Sequence, residues 1–125
     1  MDVGAGRPAS TGVGDRRRAA PKPVTCPVRT TPEADDQIRA IDDWWRRHRT
    51  AAPEMFLDEL AGAFELLSRA PLIGHPYGRS PVPGTRRVLL TGSRYHVYYM
   101  LLDHDVRVLA VWHGRRGSGP PLRLG

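Results

Sequence analysis

Lysine is nearly missing from this 125-residue chain: Lys22 is the only one, and the other 18 of its 19 basic residues are arginine. Cysteine is almost as scarce. Cys26 stands alone, which excludes an internal disulfide and a cysteine-built zinc site. A single free thiol fits a reducing compartment, and the cytoplasm is the expected location. No apolar run reaches the ~18–20 residues that a membrane helix needs, and the positively charged N-terminus has no apolar segment of the kind that directs secretion. No glycine-rich phosphate loop ending in Gly-Lys-Ser/Thr occurs, no His-Glu-x-x-His, and no internal repeat. His75, His96, His104 and His113 are scattered without metal-ligand spacing, so neither a metal nor another cofactor is expected.

What the chain has in excess is glycine and proline, 13 and 12 residues, and positive charge, a net +6. The Gly/Pro excess marks the flanks and one internal loop. Residues 1–23 hold almost no large apolar side chain and cannot offset their ordering entropy, so they read as a disordered basic leader. A nucleic-acid-touching arm is the functional reading of that leader, and an unstructured extension is the favoured one. Residues 24–117 form the expected domain, and 118–125 a flexible tail.

Within the domain, Val24, Cys26 and Val28 alternate over 24–29 and predict a short strand, confined to an edge by Pro27. Thr31-Pro32-Glu33 has the composition of a helix start: a capping hydroxyl, a proline at the first helical position and an acid at the positive end of the dipole. Ala34, Ile38, Ile41 and Trp45 then make one apolar stripe, with Trp44 bordering it. A second helix is expected from about Pro53 to Arg69, with Phe56, Leu60, Ala63 and Leu67 on its stripe and Leu57, Ala61 and Phe64 widening it. The short link at 50–52 makes the pair an antiparallel hairpin. After a loop at 71–84, strands are expected at 85–90, 95–102 and 106–113, joined by tight turns at 91–93 and 103–105. The middle strand is apolar on both faces and should be central and covered on both sides. The order β-α-α-β-β-β gives an α+β fold, a helical hairpin packed on a small antiparallel sheet.

The net charge is segregated. From 29 to 68 there are five arginines and nine acids, and from 69 to 117 eight arginines and two acids. The sheet half is basic and the hairpin acidic. Charge alone weighs an anionic partner for the sheet about equally with a solvated arginine-rich surface. Arg86 and Arg87 are strand neighbours and must face opposite sides. In a regular meander, residues 85–87 lie at the other end of the sheet from 94–95 and 112–113, so Arg94 rather than Arg86 should neighbour His113. A histidine with guanidinium groups beside it could cleave RNA, as base and as charge stabiliser. A lone histidine ending a strand is more commonly just polar surface. Tyr95, Tyr98 and Tyr99 are core candidates, with base stacking as the alternative. The pairs Asp35-Asp36 and Asp42-Asp43 read as solvated helix faces.

The segments VRTTPEA at 28–34, PLIG at 71–74, PGTRRV at 83–88, YHVYY at 95–99 and VRVLAVWHGRR at 106–116, in that order around a helical hairpin, resemble the RelE/ParE toxin superfamily of bacterial toxin–antitoxin modules. The resemblance covers roughly residues 24–117. It implies a small cytoplasmic growth inhibitor neutralised by a cognate antitoxin, whose flexible segment would lie over the strip around Trp44, Trp45, Phe56 and Leu60. RelE-type members cleave mRNA on the ribosome with basic sheet residues and a late His or Tyr; ParE-type members poison DNA gyrase. Arg86 or Arg87 matches the strand arginine and His113 the late histidine. The loop 71–84, however, offers no carboxylate, the chain has no lysine after Lys22, and Gly114 stands where a tyrosine often follows the histidine. The ending His113-Gly114-Arg115-Arg116 looks more like the ParE side. The expectation is therefore a gyrase-directed toxin, with mRNA cleavage as the alternative, and Arg86, Arg87, Arg94, His113, Arg115 and Arg116 as the target-facing set.

Overall fold

Thr31 opens the first helix as its composition predicts. In the computed structural model, which describes residues 25–114 and 119–124, its side chain accepts a hydrogen bond from the Ala34 amide at 3.1 Å. Helix α1 spans Pro32–His48, with acids in its first turn and Arg46, Arg47 and His48 in its last, each end matched to the helix dipole. Helix α2 spans Met55–Arg69. It starts two residues later than expected because 51–54 form a turn, closed by the Met55 amide on the Ala52 carbonyl. Of the residues expected to widen its stripe, Leu57 and Phe64 pack against the core, whereas Ala61 points to solvent.

The sheet has five strands: β1 at Val28–Thr30, β2 at His75–Pro76, β3 at Arg86–Leu89, β4 at Tyr95–Leu102 and β5 at Asp105–His113. Their spatial order is β1-β5-β4-β3-β2. Two features depart from the expected small antiparallel sheet. The two-residue β2 lies inside what reads as a loop, pairing His75 with Arg87 and Pro76 with Arg86. And β1 runs parallel to β5, Val28 opposite Val106, so the sheet is mixed. Strand β1 also begins later than 24–29. Pro27 has no N–H to give and contributes only its carbonyl, to the Val106 amide, while the Cys26 amide bonds the Ser68 carbonyl at the end of α2.

Strand β4 matches its expected bounds and is central. One face of the sheet lies against the helices around Ala34, Trp45, Phe56, Leu60, Leu67, Val97, Tyr99, Val106, Val108 and Val111. The other face carries a second cluster of Tyr98, Met100, Leu109, Ala110 and Leu122, with Tyr77, Val82, Leu102 and Trp112 against it. Residues 119–124 have no helix or strand, yet Leu122 is buried there, and Arg123 pairs with Glu33 at 3.2 Å. The expected leader at 1–23 lies outside the described residues.

A bulge shapes the sheet. Tyr98 pairs with Ala110 but Tyr99 with Val108, leaving Leu109 unpaired on β5. Val106 and Val108 face the helices, Leu109 and Ala110 both face the second cluster, and from Val111 onward the alternation has swapped sides.

Candidate functional site

The bulge decides which side chains can meet. His113 pairs with Tyr95 across the strands, and the two rings contact edge-on at 5.0 Å on the helix side. Tyr95 in turn packs edge-on against Phe56. Trp112, one residue earlier, belongs to the other face, opposite His96.

The expected target-facing set is therefore divided. Arg86 lies opposite Tyr99, and its Nη1 donates to the carbonyls of Leu72 and Gly74 at 3.0 and 2.7 Å. Arg87 points to the opposite face, as the strand alternation requires. Arg94 sits in the β3–β4 turn in the left-handed region, φ 68°. It lines a pocket of about 470 Å³ whose wall includes His113, as the meander geometry implied. Arg115 and Arg116 lie outside the described residues.

Three rings and a guanidinium organise the outer face. Arg87 lies over Tyr77 at 5.1 Å and over Tyr98 at 5.9 Å, and its Nη1 donates to the Tyr98 hydroxyl at 3.2 Å. Tyr77 meets Tyr98 edge-on at 5.0 Å. The groove they line, about 320 Å³, is completed by Arg79, Trp112, His113, Gly114 and Gly119, so Arg87 and His113 border the same cavity. No carboxylate lines it, and among the described residues none pairs with Arg87. His96 stands beside this groove, tilted against Tyr98. Burial pushes its pKa below the ordinary value, and the charges of Arg87 and His113 push the same way, so its neutral form is favoured. His96, Tyr77 and Trp112 are absent from the sequence-derived set. The spacing of His96 and Tyr98 on one strand face was readable; their junction with Trp112 required the bulge.

The strip expected to meet an antitoxin is largely interior. Phe56 is fully buried, and Leu60 and Trp45 nearly so, because the apolar stripes of the two helices close the core. Trp45 also spends its indole N–H on the Ala52 carbonyl at 2.9 Å. Trp44 is the exception, exposed and stacked on His48 with ring centroids 4.6 Å apart. The Arg49 guanidinium lies over both tryptophans, at 5.5 and 5.6 Å. Together with Met55, Arg94 and Tyr95 they line the 470 Å³ pocket between the helical link and the β3–β4 turn. That turn is fixed to α2 by Glu59, whose carboxylate accepts the Gly92 and Ser93 amides at 2.5 and 2.9 Å. Among the described residues no group of His, Cys, Asp or Glu is arranged to hold a metal, and no helix is long and apolar enough to cross a membrane.

The family model described as the ParE toxin of the type II toxin–antitoxin system parDE matches residues 28–117. Among curated proteins none matches by sequence. Among solved structures, a chain of the chromosomal ParDE toxin–antitoxin system from P. aeruginosa superposes with a TM-score of 0.59 at 16% identity, covering 71% of this chain and 96% of that one. At that identity the likeness concerns the fold.

Proposed function

Because this chain belongs to the ParE toxin family of type II toxin–antitoxin systems, we propose that it arrests growth in the cytoplasm by binding DNA gyrase, and that its cognate antitoxin neutralises it through the Trp44 pocket. The observation that favours a binding toxin over a nuclease is the partial dispersal of the expected chemistry. Arg86 is engaged by the 72–74 loop and Arg94 lines the Trp44 pocket, which leaves only Arg87 and His113 of the described set at the outer groove, where no carboxylate joins them. General acid–base catalysis needs such groups within hydrogen-bond reach of one substrate. A protein that acts by binding needs only surfaces.

One surface fits that role. The Trp44 pocket joins exposed indole and thioether to the charges of Arg49 and Arg94, which suits an amphipathic antitoxin segment bearing acids. Gyrase supercoiling titrated with purified protein tests the main claim. Inhibition that added antitoxin reverses is expected, and normal supercoiling in molar excess of the protein overturns the gyrase target. A Trp44→Ala variant should remain inhibitory and lose antitoxin protection.

One observation favours mRNA cleavage as a second reading: the acid-free groove in which Arg87 is held between Tyr77 and Tyr98, an arrangement suited to a base and a phosphate. Rapid mRNA cleavage on expression, abolished by Arg87→Ala, would establish that reading. Intact mRNA in arrested cells would remove it.

A further inference from the structure

Leu72 and Ile73 are the two most exposed large apolar residues among those described, 60% and 53% accessible, and they are consecutive. Leu66, at 46%, lies close by in sequence near the end of α2. The segment that presents them is held rigidly. The Ile73 amide bonds the Ala70 carbonyl at 3.1 Å. The Gly74 amide donates to the hydroxyl of Tyr99, a fully buried residue, at 2.8 Å. Arg86 donates to the carbonyls on both sides of Ile73. Gly74 is itself buried so closely that a Cβ there would lie 2.6 Å from the Tyr99 hydroxyl and 2.9 Å from the Arg87 carbonyl. A loop with no partner gains nothing from turning two bulky apolar side chains outward while core groups fix its backbone; preorganised apolar side chains are what a binding surface requires.

The surroundings indicate what the partner carries. Residues 66–102 contain five arginines and no acid. Arg69 and His75 flank the two apolar residues in sequence, Arg86 holds their backbone, and Glu65, the nearest acid in sequence, is matched by Arg69 at 2.8 Å. The site also lies near the C-terminal end of α2, whereas the Trp44 pocket includes Met55 at its start. Fifteen helical residues separate these ends by about 22 Å, so one contact need not block the other.

We propose that Leu72 and Ile73, on the rigid loop anchored by Tyr99 and Arg86, are the primary contact of this toxin with its target protein, inserting into an apolar depression bordered by carboxylates. This rests on the reading above that the protein acts by binding a protein target. The loop, rather than the outer groove, then carries toxicity.

Expression without antitoxin tests it directly. The double variant Leu72→Ser/Ile73→Ser should lose growth arrest, and the amount of purified protein needed for half-inhibition of gyrase should rise about tenfold or more. Leu101→Ser, an exposed apolar site elsewhere on the sheet, should change neither. Leu72→Glu should be more damaging than Leu72→Lys, an ordering that a purely structural role of the loop would not produce. Antitoxin binding by each variant shows that it is folded. Full arrest by the double variant overturns the proposal whatever the target. So does loss of antitoxin binding with arrest retained, or loss of a dimer, which would assign the patch to the antitoxin or to a second copy of the chain. If the parent arrests growth but leaves gyrase untouched, the gyrase reading fails, while loss of arrest in the double variant still upholds the loop as the target contact.

Discussion

The two faces of the sheet are built from the same two long strands, β4 and β5, and have opposite characters. Beneath the helices, Val97, Tyr99, Val106, Val108 and Val111 meet Phe56, Leu60 and Leu67 in one continuous apolar core. On the other side, Tyr98, Met100, Leu109 and Ala110 are covered, among the described residues, by coil through Tyr77, Val82 and Leu122, and beside them stand Arg87, His96 and Trp112. A helix laid along a sheet delivers a large apolar side chain every three or four residues, whereas a coil delivers one where its path permits. Stability therefore concentrates on the helix side, and the outer side keeps polar groups that a helix would have displaced.

The sharpest test of that contrast is Phe56→Ala. Phe56 is fully buried, so its removal should cost about 3–5 kcal/mol, a large part of a small domain's stability. Urea unfolding measures it. Leu122→Ala on the outer side should cost about 1–2 kcal/mol, below the ~2–5 of an enclosed leucine, because the coil that carries it can move away from the sheet. Hydrogen exchange should show increased opening near Leu109 and Ala110 with the helix-side core still protected. Equal losses for the two substitutions would break the comparison.

The smallest expected effect is a pH dependence. His96 has its pKa depressed first by burial, then by Arg87 and His113. The unfolded chain therefore binds this proton at a higher pH than the folded one, and stability must fall as pH drops through the ordinary value of 6.5 toward the lower folded value. Thermal melts of the parent should decline over that interval, and His96→Gln should flatten the decline. An unchanged slope would mean that the outer face does not disfavour charge at His96.

Local chemistry written in the sequence was enough for much of this protein. Thr31 and Pro32 set the start of α1, the 34–38–41–45 stripe set its buried side, and the apolar run at 95–102 set a central strand covered on both faces. The opposite facing of Arg86 and Arg87 follows from backbone alternation alone. The segregation of acid into the hairpin and arginine into the sheet half is likewise a property of the chain. Partners distant in sequence decided the rest. Strand β1 is parallel because it pairs with β5, and β2 exists only because His75 and Pro76 meet Arg87 and Arg86. Most consequentially, the single unpaired residue Leu109 exchanges the faces of everything after it. Uninterrupted alternation from Val106 would have put Trp112 under the helices and taken the His113 ring off Tyr95. The bulge does the reverse, since side chains alternate with a period of two and one extra residue inverts them all. The sequence therefore determined which residues were available to a functional site, and the register between two strands determined which of them share a face.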